Sequence, residues 1–600
     1  MSIRNVSASR ISPRKLSNRV NIPTSLRWER NKAWPTLTEP SSSEEKLVGL
    51  YAVFPGDGTG TGGNWFAVTF QGNYTVDFGD GTSVNTNSGA TTYKSYDFND
   101  VDLYDATVTF TDTGDLVTRN SHGYVDGDTV SFYRISSTTG ISEGQTYYVI
   151  SATTNTFQIS TTFGGSAVAL TTDGSASLLP YKIATVTITP QVGQNLTTVN
   201  LSTKHNETGL TNGYGTGWLD IALSAPNATI ITISVTSNIK HSILERFNLI
   251  ASGNFTTCLN WFYNCHRLRE VIIPFDATSA VTSTSSMFRA CYSLVSVPLF
   301  DTSLVTNMSN MFNGCNSLLS VPLFDTSSAT SMASMFSSCN SLVSVPLFDT
   351  SAATNTSSMF SSCNSLISVP LFNTSLVTSM STMFSSCNSL VSVPLFDTSA
   401  VTNTSSMFNG CSSLVSVPLF DTSLVTNMSS MFSSCNSLIS VPLFNTSLVT
   451  SMSTMFSGCF SLVSVPLFDT SLVTAMASMF SSCTSLVSVP LFDTSLVQFA
   501  SSMFQNCPSL NSIPAFDFSS VTSGNFNFTF STSNSISRIE ATGFNFSFSV
   551  SSCNLSSTAL DEIYTNLPTV VGQTITVSGN YGVNGDDPTI ATAKGWTVSG

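Results

Sequence analysis

The chain has 600 residues, 41% hydrophobic and only 9% charged, with a net charge of -14. Such a length exceeds what one hydrophobic core organises and implies several domains. The charged share is about a third of the usual one, and the acidic balance excludes a nucleic-acid binder working through a broad basic face. No run approaches the ~18 consecutive apolar residues of a membrane span, so the expectation is a folded chain without one.

Residues 1–46 read as a basic arm followed by a linker. Arg4, Arg10, Arg14, Lys15, Arg19, Arg27, Arg30 and Lys32 stand against a single acid, Glu29. No apolar stretch follows Met1 as in a secretory signal; the Arg- and Ser-rich composition also suits an organellar transit peptide, and a solvated tail is the plain alternative. Trp28 and Trp34 favour an anchoring arm that lies on an acidic partner, because indoles are costly to leave unburied.

From 47 to 240 the pattern is short alternating runs of strand length, rich in β-branched and aromatic residues and separated by Gly, Asn and Asp. It predicts an all-β region over 47–104 and 182–240, with a small β module inserted at 105–181. The run Val76-Asp77-Phe78-Gly79-Asp80-Gly81-Thr82 resembles the V-x-W-G-D-G-T turn of PKD-type Ig-like domains, with Phe for Trp. Asp80-Gly81 reads as a tight turn, against a calcium site as the functional alternative. The segment carrying His122-Gly123-Tyr124 and Tyr147-Tyr148-Val149-Ile150 is similar to a β module of bacteriophage structural proteins.

Over 241–525 the chain repeats every 24 residues, and 526–600 is expected to cap the array. Cys291, Cys315, Cys339, Cys363, Cys387, Cys411, Cys435, Cys459, Cys483 and Cys507 keep that spacing without exception. Leu294, Val297, Leu299 and Leu304 fit the leucine-rich-repeat spacing L-x-x-L-x-L-x-x-N-x-L, with Thr302 in place of Asn. The prediction is an α/β-type parallel solenoid in which each coil buries its apolar side against its neighbours. Val305, Met308, Phe312 and Cys315 recur at intervals of three and four, and Asp301-Thr302-Ser303 precedes them as an N-cap. One side of the coil is therefore expected to be a short helix or 3₁₀ turn. The opposite side is a short strand. Pro298 either confines that strand to Leu294–Val297 or sits where its missing N–H would face solvent.

The phrase Phe-Asp-Thr-Ser-x-Val-Thr-x-Met-Ser-x-Met-Phe-x-x-Cys-x-Ser-Leu resembles the BspA-like leucine-rich-repeat surface proteins, including their mycoplasma-type repeat. The resemblance spans about residues 255–520 and implies a surface-displayed solenoid used for adhesion, with no catalytic residues.

Three rows of side chains are candidates for function. The cysteine row reads as buried, reduced, close-packed thiols, with disulfides or a metal as alternatives. Asp301, Asp325, Asp349, Asp397, Asp421, Asp469 and Asp493 form a second row in which Asn373 and Asn445 stand in for Asp. Such a position needs a hydrogen-bond acceptor and not a charge, which points to capping rather than calcium or sugar chemistry. The third row is an outer stripe of Ser, Thr and Asn, suited to a glycan or simply solvated.

Between Cys291 and Leu510 there is no His, Lys, Arg or Glu, and a stacked Asp row does not flank a bond as a hydrolase pair must. His122, His205, His241 and His266 lie outside that stretch. A non-enzyme without cofactor is expected: a bacteriophage virion protein, a tail or head fibre or decoration. Its arm of Arg4, Arg10, Arg14, Lys15, Arg19, Trp28 and Trp34 would dock on other virion proteins, and its solenoid would meet a host-surface glycan or protein. The alternatives are a bacterial cell-surface adhesin, which should carry an export signal not seen at either end, and a polysaccharide depolymerase. Oligomeric state is not legible.

Overall fold

A computed structural model describes residues 29–55, 64–203, 205, 217–233, 243–522, 530 and 533–600. Two sheets form the first β domain. The larger has seven strands in the spatial order Glu270–Ile272, Arg246–Ser252, Trp218–Ala225, Lys46–Val53, Lys182–Pro190, Tyr74–Asp77 and Ser83–Thr86. The smaller consists of Ile230–Thr232, Thr198–Asn200, Trp65–Gln71 and Thr91–Ser95. A separate seven-stranded sheet is built entirely from strands between Thr107 and Ser177.

The strand Lys46–Val53 is apolar without alternation because both of its faces are covered. Leu47, Tyr51 and Val53 belong to the core that continues into the repeats, whereas Val48, Leu50 and Ala52 belong to a second core shared with the 107–177 sheet. Gly49 lies at its centre because a Cβ there would meet the Trp218 ring at 2.5 Å.

The larger sheet passes directly into the solenoid. Trp218–Ala225 pairs in parallel with Arg246–Ser252, and that strand pairs in parallel with Glu270–Ile272, Arg246 opposite Glu270 one 24-residue period later. Parallel bridges then climb from coil to coil, Ser283 to Asn307 to Ser331 and onward to Phe499. Parallel pairing resumes between Phe548–Ser549, Gln573–Thr576 and Trp596–Ser599. The only α-helices among the described residues are Ser557–Asn566 and Thr589–Thr592, beyond the repeats.

The coil therefore differs from the α/β expectation. The segment from Met308 to Cys315 is a run of overlapping turns. Met311, Asn313 and Cys315 donate their N–H groups three residues back, to Met308, Asn310 and Phe312. The intervening N–H groups of Met308, Asn310, Phe312 and Gly314 reach the next coil, at Ser331, Ala333, Met335 and Ser337, over 2.7–3.0 Å. Turns of this kind place side chains inward at steps of three and four, which is why the sequence mimics a helix. The denser inter-coil ladder runs through this segment; at Leu294–Val297 no strand forms, and the link to the next coil there is Leu319 N donating to the Val295 carbonyl at 3.1 Å.

Burial from Leu294 onward has a period of three, with Leu294, Val297 and Phe300 inside. That is the spacing of an extended, polyproline-like chain, which accepts Pro298 without loss. Leu299 and Leu304, expected inside, are 42% and 53% exposed, and Phe300 and Val305 take their places. Phenylalanines fill the interior as stacks, Phe312 over Phe336 at 5.5 Å and 7°.

Candidate functional site: the rows of the solenoid

The cysteine row is interior. All ten repeat cysteines are buried and unbridged. Each Sγ donates to a phenylalanine carbonyl of the preceding coil, Cys315 to Phe288 at 3.1 Å and Cys387 to Phe360 at 3.0 Å. Burial pushes the thiols of Cys387, Cys459 and Cys507 up to about 12, which keeps them protonated and unreactive.

The aspartate row lies on the outside and closes turns instead of capping helices. Asp301 Oδ1 accepts from Ser303 N at 2.9 Å, and Asn373 and Asn445 make the same contact with Ser375 and Ser447. The side-chain and backbone hydrogen bonds of the following serine hold the carboxyls of Asp349, Asp397, Asp421, Asp469 and Asp493 below their ordinary range.

A third ladder was not visible in the repeat. Thr302, where a leucine-rich repeat has Asn, is buried, and its hydroxyl donates to the Asp325 carbonyl at 2.7 Å. The same bond recurs from Thr278 to Thr470. The signal was that Thr stays constant within the Asp-Thr-Ser triplet even where Asn373 and Asn445 replace the Asp beside it.

Of the proposed docking arm, Arg4, Arg10, Arg14, Lys15, Arg19 and Trp28 lie outside the described residues. Trp34 does not belong to a free arm. It is buried in the chain's own β domain, with Nε1 donating to the Tyr181 hydroxyl at 3.2 Å. Asp80 is tied to Thr82 and to Lys94 Nζ at 2.5 Å, so a lysine occupies the side on which a cation would sit. His122 accepts from the Tyr124 N–H, and His205 packs on Trp65 and Tyr93; His241 lies outside the described residues.

What the surface does present is an open groove of about 620 Å³ at the start of the array, lined among others by Tyr263, Arg289, Tyr292, Asn316, Asn340 and Asn364. The residue after the cysteine lines it in successive coils, Tyr292, Asn316, Asn340 and Asn364, with His266 in the coil before and Asn388 in the coil beyond. His266 stacks on Tyr292 at 4.2 Å, which holds the tyrosine ring in a fixed attitude, and the Arg289 guanidinium lies 5.4 Å from the Tyr263 ring. Asn340, Asn364 and Asn388 are exposed, and their side-chain amides make no hydrogen bond within the described residues. An aromatic platform thus leads into a row of unengaged amides, one per coil, each offering two donors and an acceptor.

Among the described residues no helix is long and apolar enough to cross a membrane. Several solved structures are similar at low identity. A leucine-rich repeat protein from Eubacterium ventriosum ATCC 27560 is 14% identical over 48% of this chain and 86% of that one, with a TM-score of 0.23. TLR13 in its complex with ssRNA13 is 13% identical over 63% and 69%, with a TM-score of 0.20. The Toll–Spatzle complex of Drosophila gives 12% identity over 60% and 57%, with a TM-score of 0.18. No curated protein shows a significant sequence match. The family described as "Mycoplasma protein of unknown function, DUF285" matches in four overlapping stretches, 256–369, 282–394, 363–464 and 439–541. The stretch from 256 to 541, just under half of the chain, is thus similar to the mycoplasma-type repeat of that family, and the β domain before it lies outside the match.

Proposed function

We propose that the chain is a non-enzymatic adhesion protein displayed on a surface, and that the groove from Tyr263 to Asn364, continued by Asn388, holds a host-surface glycan. The carrying observation is the row of unengaged amides at Asn340, Asn364 and Asn388 next to the exposed Tyr292 ring. Sugars present apolar C–H faces to aromatic rings and hydroxyls to amides. A row repeated at ~4.8 Å lets weak contacts accumulate along a polymer by multivalency. Beyond Tyr292 and as far as Leu510 the titratable groups of the array are the Asp row, whose carboxylates are occupied by the neighbouring serines, and the buried thiols. That supports binding without cleavage. The β domain, read as a PKD-like sandwich with a phage-type insertion, serves as the base from which the array projects.

Two display surfaces fit equally, a virion and a bacterial cell. Mass spectrometry of purified particles against surface-labelled cells decides between them. Binding itself is tested by retention of the full chain on host cells and on purified surface polysaccharide. Tyr292→Ala should abolish retention without altering the circular dichroism spectrum. Release of shortened saccharides overturns the non-enzymatic reading, and unchanged retention of Tyr292→Ala removes the groove from it.

A further inference from the structure

Nothing among the described residues covers the outward side of the segment running from Leu342 to Phe348 and of its equivalents in the other coils. One leucine per coil stands there, from Leu299 to Leu491, and the eight from Leu323 onward are 58–61% exposed. A second row, Val or Ile in every coil from Val343 to Val487, is 40–53% exposed on the same segment. Between them lie an exposed serine, a buried valine and the part-exposed repeat proline, so the two apolar rows run side by side along the array.

We infer that this face is the interface between two copies of the chain. Size is the first argument. A fully exposed aliphatic side chain offers about 100 Å², so at these exposures the two rows present on the order of 800 Å². That exceeds the ~300–600 Å² patch of a typical monomer and reaches the ~800 Å² per partner of a stable interface.

Period is the second argument, and it selects the partner. The rows of a second copy repeat at the same coil spacing, so a two-fold along the array lays its Val and Ile row against this leucine row coil by coil over the whole face, whereas a surface of another period would match only in part. Charge is the third. No charged side chain lies within the two rows to orient a different protein, and the Asp row borders the face on the leucine side only. Two copies related by a two-fold along the array therefore need not oppose their carboxylates. The inference does not depend on the glycan groove, which lies on the turn segment.

Sedimentation velocity on the full chain should show a concentration-dependent dimer. The triple variant Leu371→Lys, Leu395→Lys and Leu419→Lys should weaken it about 100-fold or more while leaving the circular dichroism spectrum of the folded chain unchanged. A wild-type chain that stays monomeric, or a dimer that survives the triple substitution, overturns the proposal. Should the triple variant fail to fold, Leu395→Cys serves instead: it lies midway along the row and adds one exposed thiol to thirteen buried ones. A short bismaleimide should then join two chains, and labelled monomer alone counts against the interface. A chain that dimerises only after residues 1–28 are removed would show the arm on this face, which also overturns it.

Discussion

The hydroxyl of Thr374, buried between two coils, donates to the main-chain oxygen of Asp397 at 2.6 Å. Its counterparts repeat the bond along the array, so each coil is pinned to the next at the point where the chain turns from the extended segment into the Asp turn. Thr374→Val keeps the volume but leaves a buried carbonyl without its donor, at a cost of about 1–2 kcal/mol, whereas Thr374→Ser should cost less than half of that. Urea unfolding of both variants checks the order; equal losses would assign the effect to packing.

A second prediction concerns backbone strain. Thr382 and Thr454 sit at φ 55° and 56°, a region that β-branched residues avoid, where the equivalent position of another coil has Asn310 at φ 58°. The Thr382 hydroxyl is held by the Ser381 carbonyl at 2.7 Å and by the Ser358 hydroxyl at 2.5 Å. Thr382→Asn should raise stability by about 0.5–1 kcal/mol. A lower melting temperature would mean that those hydroxyl contacts outweigh the strain.

These two ladders mark where the sequence was legible and where it was not. The 24-residue spacing of the cysteines was enough to establish stacked coils, because only stacking makes one residue in 24 equivalent. Which side chains point inward was misread at Leu299 and Leu304. The extended segment has a period of three rather than two, so Phe300 and Val305 replace them, and the bulkiest residue goes inside. The turns at Met308–Cys315 looked helical because inward steps of three and four belong to both structures; only the destination of alternate N–H groups tells them apart, and that is a long-range fact. The groove was hidden for a different reason. Tyr263, Arg289 and Tyr292 are departures from the repeat, and reading the repeat averages departures away.

The thiols supply a third prediction. Burial raises the pKa of the ladder cysteines from an ordinary value of about 8.5 to about 12 at Cys387, Cys459 and Cys507. The folded state thus favours the protonated form. Its contribution is complete below the ordinary thiol pKa and is lost as pH rises from there through the folded value, by up to about 1.4 kcal/mol per thiol per pH unit. The melting temperature should fall steeply on the alkaline side, less so when Cys387 and Cys411 are both replaced by alanine. Native protein should resist a thiol reagent that, after denaturation without reductant, titrates close to 13 thiols.

The joint between β domain and array rests on Asp220, which is fully buried and paired with Arg30 at 3.1 Å and Arg246 at 3.2 Å. Burial works against the charge of Arg246, but hydrogen bonds and attraction from Glu39 and Asp220 outweigh it and raise its pKa. Arg246→Met leaves a buried carboxylate with one partner and should cost about 3 kcal/mol. Asp220→Asn should cost less, since Arg246 keeps Glu39 and Glu270. Calorimetry of the pair checks this ranking, and its reversal would shift the weight of the joint to the glutamates.

The last prediction separates the forces at the groove. Arg289 is the one cation lining it, and from Cys291 to Leu510 the array offers no other. Amides and an aromatic ring bind a neutral polymer through short-range contacts that a Debye length of ~8–10 Å does not screen. Affinity for host polysaccharide should therefore hold between low and high salt, and Arg289→Gln should change it little. Asn340→Ala and Asn364→Ala should each lower it several-fold, about 1 kcal/mol per lost hydrogen bond, with losses that accumulate for long chains and shrink for short oligosaccharides. The opposite pattern, strong salt dependence abolished by Arg289→Gln with the asparagine variants unaffected, would identify an acidic ligand held at Arg289 and leave the amide row as solvated surface.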